Sequence, residues 1–413
     1  MRCRYCNSLL ENVVIDLDEQ PSANRLLTEN ELQLIKGGKK EHNSPLITYI
    51  CGTCSLVQLG DTTKAEELFT EDYVYYSSFS NYWVQHAREL VEFAIENFRL
   101  SSSSNILEIG SNDGYLLQHF VAKKIPCIGI DPAGKAAEAA KAKGVETMVS
   151  FFDEVSSSKL IQERGTFDFI NGINVFAHVP AIKTFIASLK NCLSENGVIS
   201  LEFPHLAKLV EHSQFDTIYD EHFFYHSLVS LNKIFLQFDL KIFDLRELDT
   251  HGGSLRIFIN HLDNTKYSIE KSVEKVLNTE LSMKLDQVSG FNELKARSQQ
   301  IRDDAVAYIK AQKKIGKKIA AFGAAAKGNV FLNYCGIGAD SIDFVVDDTP
   351  AKQGKFLPGS HIPVVSATEI INKKPDIIVI LPWNLSSEIS KKLKSNEKWQ
   401  GELATFIPKL NII

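Results

Sequence analysis

Between residues 82 and 99, apolar side chains recur at Val84, Ala87, Leu90, Val91 and Ala94, the spacing of one helix face. A polar serine run, Ser101 to Ser104, follows and leads into short apolar runs separated by helical stretches. These predict strands Ile106–Ile109, Cys127–Ile130, Phe167–Ile170 and Gly197–Phe203. Helices are expected from Tyr115, over Ala133–Lys143 and over Ala181–Leu193. Strands alternating with helices of this length indicate the α/β class and a doubly wound parallel sheet. Residues 265–315 are mostly polar and helical, a connecting pair of helices. A second alternating unit then begins, with strand Lys318–Phe322, helix Ala324–Tyr334 and strands Ile342–Asp347 and Ile377–Leu381. The expected division is an N-terminal module over 1–75, a Rossmann-like central domain over 76–260, a helical connector over 261–315 and a second Rossmann-like domain over 316–413.

Composition narrows the class without changing that picture. Of 413 residues, 44% are hydrophobic and 23% charged, which argues against a disordered, collagenous or coiled-coil chain. The net charge is −6, with no block of five like charges, so no nucleic-acid partner is expected. The longest apolar run, Ile377 to Leu381, has strand length, and the start Met1–Cys6 has no apolar segment behind it. No membrane partner and a cytoplasmic location are the expectation.

The seven cysteines are unevenly placed. Four form the pairs Cys3-x-x-Cys6 and Cys51-x-x-Cys54, while Cys127, Cys192 and Cys335 sit among apolar residues as core side chains. Paired CxxC units in such a chain favour a tetrahedral zinc site of four thiolates, with redox-active or merely buried thiols as the alternative. All four positions are filled by protein, so the metal is structural, and Gly52 is expected to relieve the second turn. The polar spacer between the pairs reads as a loop or a small subdomain.

The first strand of the central domain runs into Leu107-Glu108-Ile109-Gly110-Ser111-Asn112-Asp113-Gly114. A glycine turn between strand and helix suits a nucleotide-like ligand, and Asp131 at the next strand end can accept two ribose hydroxyls. The spacing is Gly-x-x-x-Gly rather than G-x-G-x-x-G, which disfavours NAD; a generic nucleotide turn is the other alternative. The pattern resembles the class I S-adenosylmethionine-dependent methyltransferases. That resemblance implies S-adenosylmethionine held by Glu108, Gly110, Ser111, Asn112, Gly114, Asp131 and Asn174, with Glu108 favouring the ammonium group.

Further segments narrow the likeness: Tyr73-Val74-Tyr75-Tyr76-Ser77-Ser78, Asn174 to Pro180, Ile218-Tyr219-Asp220-Glu221-His222, Gly323 to Gly328, Lys352 to Gly359 and Pro382-Trp383-Asn384. In this order after a four-cysteine module, they resemble the nucleotide-sugar C-methyltransferases of deoxysugar biosynthesis, from Cys3 to Asn384. The resemblance implies methylation at C3 of a nucleotide-linked 4-keto-6-deoxy sugar (dTDP, with GDP and CDP open). His222, titrating near neutrality, is the expected base. Glu221 would orient it or bond the sugar, Tyr219 would donate to the oxyanion, His178 is a second proton handler, and Tyr76 would close the pocket. Substrate contacts are expected from Tyr76, Ser78, Lys327, Gly328 and Asn329, the last three at a phosphate-binding turn. A second nucleotide cofactor or a purely structural role are the alternatives for that unit. The family segment often has histidine where Asp220 stands, which points to an altered sugar preference. The rival readings are an O- or N-methyltransferase and a non-catalytic, zinc-stabilised binding protein. A monomer or weak oligomer is expected.

Overall fold

The computed structural model describes residues 1–60, 76–395 and 398–413, so Tyr73, Val74 and Tyr75 of the tyrosine-rich segment lie outside the described residues. The N-terminal module is an antiparallel meander of β1 (Asn12–Pro21), β2 (Asn43–Ile50) and β3 (Val57–Leu59). A helix, Glu29–Lys36, separates β1 from β2, and it starts where Thr28 and Glu31 form a capping box. The spacer between the cysteine pairs is therefore a small subdomain.

The central sheet contains β4 (Ile106–Ile109), β5 (Cys127–Asp131), β6 (Thr147–Val149), β7 (Phe167–Ile173) and β8 (Leu193–Pro204), all parallel. β4, β7 and most of β8 are buried, which is why they read as continuous apolar runs. The helix Asn81–Phe98 starts at the Ser80 cap and buries Trp83, Ala87, Leu90, Val91, Ala94 and Phe98. The sheet is not wholly parallel. After β9 (Phe224–Tyr225) the chain forms a hairpin of β10 (Leu240–Leu248) and β11 (Ser254–His261), and β11 adds antiparallel to β8. Two strands joined by so short a turn can pair only antiparallel. The order becomes β10-β11-β8-β7-β4-β5-β6.

Two connector helices, Lys271–Ser282 and Asn292–Lys314, lead to the C-terminal sheet. Its strands are β12 (Ile319–Phe322), β13 (Val345–Val346), β14 (Val364–Val365), β15 (Ile377–Ile380), β16 (Glu402–Thr405) and β17 (Asn411–Ile412). The order is β14-β13-β12-β15-β16-β17, parallel except for β17. The helix after β12 is Ala326–Cys335, two residues later than the pattern suggests. No helix among the described residues is long and apolar enough to cross a membrane.

The module does not stand apart from the two larger domains. One apolar core joins Val14, Ile15 and Leu17 of β1 to Ile301, Ala305 and Ile319. Another joins Leu56 and the cysteines to Leu107, Ile109 and Leu201 of the central sheet. β9, from the central part of the chain, pairs with β3 and completes the module's sheet as its fourth strand.

The Sγ atoms of Cys3, Cys6, Cys51 and Cys54 all lie within 4.8 Å of one another, with 3.7 Å between Cys3 and Cys54 and 3.3 Å between Cys6 and Cys51. A tetrahedral Zn²⁺ with Zn–S near 2.3 Å needs sulfur separations of about 3.8 Å, whereas a disulfide needs about 2 Å. The cluster fits zinc. Asn7 and Ser55, both in the left-handed region, turn the chain after each pair, with Asn7 N–H donating to Cys3 O and Ser55 N–H to Cys51 O. Gly52 is not in a glycine-requiring conformation, so these two residues, and not Gly52, relieve the turns. Gln58 Nε2 donates to Cys3 Sγ at 3.1 Å. The four thiolates hold a structural zinc. Cys54→Ser is expected to abolish stoichiometric zinc in elemental analysis and to lower the unfolding midpoint, since structural zinc contributes on the order of 10 kcal/mol to such modules.

Candidate active site

β4, β5, β7 and β8 run parallel, so their C-terminal ends meet along one edge of the central sheet, where this architecture places its ligand crevice. After Ile109 the chain turns through Gly110 (φ 68°), Asn112 (φ 48°) and Gly114 (φ 75°). A Cβ on Gly114 would meet Val145 at 3.0 Å, and one on Gly129 would meet Ser111 Oγ at 2.2 Å. Asn112 and Ala133 N–H donate to the two oxygens of Asp131, each at 2.8 Å. That leaves the carboxylate lone pairs for ribose hydroxyls. Asp131 is buried, and burial raises its pKa.

Glu108 lies inside the sheet with no exposed surface. Burial first, then the charges of Asp131 and Asp113, push its carboxyl well above the usual range. Its two oxygens, Ser111 Oγ and Asn174 Oδ1 are buried without a hydrogen-bond partner. A glycine cradle beside unpaired polar atoms fits S-adenosylmethionine. Over this turn lies the segment after Tyr76: Ser77 N–H donates to Asn112 Oδ1 at 2.9 Å, and Ser78 Oγ donates to Asp113. Lys143 Nζ fixes Asp113 from the other side at 2.8 Å. Ser78 is thus tied to the turn, and the half-buried Tyr76 ring leans on Phe79 at 5.3 Å.

The histidines converge on a second part of the crevice. The rings of His178 and His222 are 4.8 Å apart, and Tyr219 packs on His222 at 4.0 Å. His178 Nδ1 lies 2.8 Å from Glu221 O, and His222 Nδ1 lies 2.9 Å from Thr217 O. A carbonyl only accepts, so both Nδ1 atoms carry the proton and both Nε2 atoms carry a lone pair. Burial lowers His178 to about 4 and His222 well below its ordinary value, so neither titrates near neutrality as the sequence suggests. Glu221 does not orient His222; the Thr217 carbonyl does. Instead Asn24 Nδ2 donates to Glu221 Oε1 at 2.7 Å, and burial raises Glu221 to about 7 against that bond. Asp220 accepts from Ala23 N–H at 3.2 Å and so faces the N-terminal module.

Lys327 comes from the C-terminal domain. Its Nζ donates to His251 O and Asn384 Oδ1, each at 3.4 Å, and lies 5.1 Å from the Trp383 ring centre. Trp383 Nε1 donates to Asp216 Oδ2 at 2.7 Å. Lys327 thus points into the crevice. Gly328 and Asn329 serve packing: a Cβ on Gly328 would meet Leu381 at 2.8 Å, and Asn329 Nδ2 donates to Ala23 O. His226, stacked on Phe176, and His205, bonded to Glu280, are core residues.

Between the two parts of the crevice is a network that the sequence reading missed. Arg256 Nε donates to Glu202 Oε2 at 2.9 Å, and His86 Nε2 lies 2.9 Å from Glu202 Oε1. Burial opposes ionisation of Glu202, but Arg256 and His86 together outweigh it and hold the carboxyl at about 2. Asn24 was also missed. Nothing local marks these residues, whose partners lie far off in sequence. The glycine pair Gly252-Gly253 between two alternating runs did carry a hairpin signal.

Three segments match known families: 3–69 the "Putative zinc binding domain", 82–245 a methyltransferase domain, and 249–408 a C-methyltransferase C-terminal domain. The chain is 31% identical over 411 residues to C-methyltransferase NovU of Streptomyces niveus, covering 100% of this chain and 96% of that protein. A ubiquinone biosynthesis O-methyltransferase of Pelagibacter ubique is 26% identical over 118 residues, 27% of this chain and 49% of that one. Magnesium protoporphyrin IX methyltransferase from Synechocystis PCC 6803 with bound SAM aligns at TM-score 0.33 and 16% identity, over 43% of this chain and 78% of that one.

Two outcomes follow from the electrostatics. Arg256→Met leaves Glu202 buried without its guanidinium, and is expected to cost about 3–5 kcal/mol in urea unfolding at neutral pH. Glu202 is depressed, so this stability is present above its ordinary value of 4.5 and is lost as pH falls toward about 2. Asn24→Ala removes the donor that favours the Glu221 carboxylate. In a 13C-glutamate NMR titration the Glu221 resonance is expected to titrate at higher pH than in the wild type.

Proposed function

The chain belongs to the C-methyltransferase family, and from that premise we propose that it methylates C3 of a nucleotide-linked 4-keto-6-deoxy sugar. The observation that carries the reading is the pair of buried, uncharged imidazoles, His178 and His222, each with its lone pair on Nε2. Methylation at carbon first needs a base to take a C–H proton. A heteroatom acceptor already carries a lone pair, whereas carbon gains one only when a base takes its proton, so a buried base beside the crevice supports the carbon acceptor.

His222 takes the C3 proton. The C–H electron pair moves into the C3–C4 bond, and the carbonyl π pair moves onto the C4 oxygen. S-adenosylmethionine supplies the electrophilic methyl group that C3 captures, its sulfur keeping the electrons of the broken bond. The Glu221 side chain, bonded to Asn24, ties the N-terminal module to this part of the crevice. The Tyr219 ring packs on His222 and holds its plane, and Tyr219 is assigned the role of hydroxyl donor to the sugar oxygen. Tyr76 and Ser78 cover the reacting groups, and Lys327 draws the diphosphate toward the C-terminal domain. Segments 1–75, 76–260, 261–315 and 316–413 act as zinc module, cofactor domain, connector and substrate domain, in a cytoplasmic monomer or weak oligomer. The nucleotide is dTDP first, with GDP and CDP next.

The test is incubation in D₂O with dTDP-4-keto-6-deoxyglucose, with and without S-adenosylmethionine, followed by carbon NMR and mass. A new methyl on C3, with deuterium entering C3 in the absence of donor, is the expected result. A methyl on oxygen or nitrogen, or no product with dTDP, GDP and CDP sugars alike, overturns the reading. His222→Asn is expected to abolish exchange and lower turnover about 10²–10⁴-fold, the range of a general base.

A further inference from the structure

The turn between β10 and β11 carries three successive residues with positive φ: His251 at 55°, Gly252 at 90° and Gly253 at 120°. Glycine adopts this region freely, whereas a residue with a Cβ held there stores on the order of 1 kcal/mol. The turn has no freedom to relax. Gln214 Nε2 donates to Gly252 O at 2.6 Å, and Gly253 N–H donates to Thr250 O at 2.9 Å. A Cβ on Gly252 would stand 2.4 Å from the Trp383 ring, and one on Gly253 would stand 2.6 Å from Lys208. A third glycine would serve this backbone better than histidine. The imidazole is there for its side chain.

The imidazole is fixed on two sides and the backbone on a third. Asn174 Nδ2, at the end of β7, donates to His251 Nε2 at 3.0 Å. The Trp83 ring meets the imidazole edge-on at 5.1 Å. Lys327 of the C-terminal domain holds the backbone oxygen. An amide nitrogen only donates, so Nε2 is the acceptor and the proton sits on Nδ1. Burial first, then the charge of Lys327, lowers His251 to about 4, so the ring is neutral at physiological pH. It stands between Asn174 on the cofactor side and Lys327 on the substrate side.

We propose that His251 is a catalytic residue, its Nδ1–H donating a hydrogen bond to the substrate oxygen that gains negative charge as the C–H proton leaves. A neutral imidazole suits this task. It lowers the energy of the oxyanion without surrendering its proton, so the electron density stays available at carbon. An imidazolium would protonate the oxygen and quench the nucleophile. The proposal rests on the carbon-methylation reading above.

The experiment compares wild type, His251→Gly and His251→Asn. Glycine suits the φ at 251, so folding is preserved while the imidazole is lost. Asparagine tolerates the same φ and keeps an N–H donor. His251→Gly is expected to lower kcat about 10²–10³-fold, the effect of losing one oxyanion donor. KM and S-adenosylhomocysteine affinity by calorimetry should stay within about threefold. His251→Asn, or free imidazole added to the glycine variant, should recover part of the lost rate. In 15N-histidine NMR of the wild type, the resonance missing from His251→Gly should report a neutral ring protonated at Nδ1. Full kcat in His251→Gly, a parallel loss of S-adenosylhomocysteine binding, or a proton on Nε2 would overturn the assignment. A wild type that methylates no nucleotide sugar overturns the preceding reading instead.

Discussion

The backbone pairing of β9 with β3 is the constraint on which the site depends. Val57 faces Tyr225 and Gln58 faces Phe224, and Leu59 N–H donates to Phe223 O at 2.9 Å. On its other edge Phe223 N–H donates to Ala177 O, also at 2.9 Å, which ties the same residue to the loop carrying His178. His222 is the next residue back. β3 itself begins just after Cys54, so the zinc knuckle fixes where β3 starts and, through one ladder, where the histidine pair sits. The loop after β1 completes the clamp: Ala23 N–H holds Asp220 and Asn24 holds Glu221.

Burial acts with opposite results on two carboxyls in this region. Glu202 is buried with a guanidinium in contact and stays ionised, held at about 2. Glu221 is buried with only a neutral amide donor and rises to about 7. The difference lies in the partner. A full charge outweighs desolvation, whereas one amide bond does not. The first group is consequently a fixed anion that shapes the crevice, and the second is poised to change charge near neutrality. The histidines follow the same logic. His178 and His222 have backbone carbonyls rather than carboxylates at Nδ1, and those bonds offset burial only in part, so both fall below the ordinary imidazole value.

The features legible in the sequence were those encoded locally. The cysteine pairs, the glycine turn after β4, Asp131 at the end of β5 and the alternating strands each depend on neighbours a few residues away. Their types and spacing survive into the fold. The β9 strand was not legible, because two residues in a strand carry no periodicity and its partner lies in another module. Arg256 and His86 look like ordinary surface-type residues until β11 and the Asn81–Phe98 helix bring them onto Glu202. The charge state of His222 was misread for the same reason: residue type gives the intrinsic proton affinity, and only packing gives the burial that lowers it. Gly328 and Asn329 followed a phosphate-turn pattern, and the fold sets Gly328 close against Leu381 and the Asn329 amide nitrogen on the Ala23 carbonyl.

The clamp around Ala23 also orders the molecule in time. Its hydrogen bonds reach Asp220, 197 residues further along, and Asn329, 306 residues further along. A chain emerging from the ribosome N-terminus first can close the zinc knuckle and the β1–β3 meander early. The free edge of β3 then stays open until Phe224 follows, and the loop after β1 stays unanchored until Asn329 does. An open strand edge is a template for pairing with the wrong chain. Contacts of such long sequence separation also form slowly. The short length of β3, three residues, limits that hazard during synthesis. The same brevity leaves only a two-residue ladder, Val57 to Tyr225 and Gln58 to Phe224, to join the N-terminal module to the segment that follows His222.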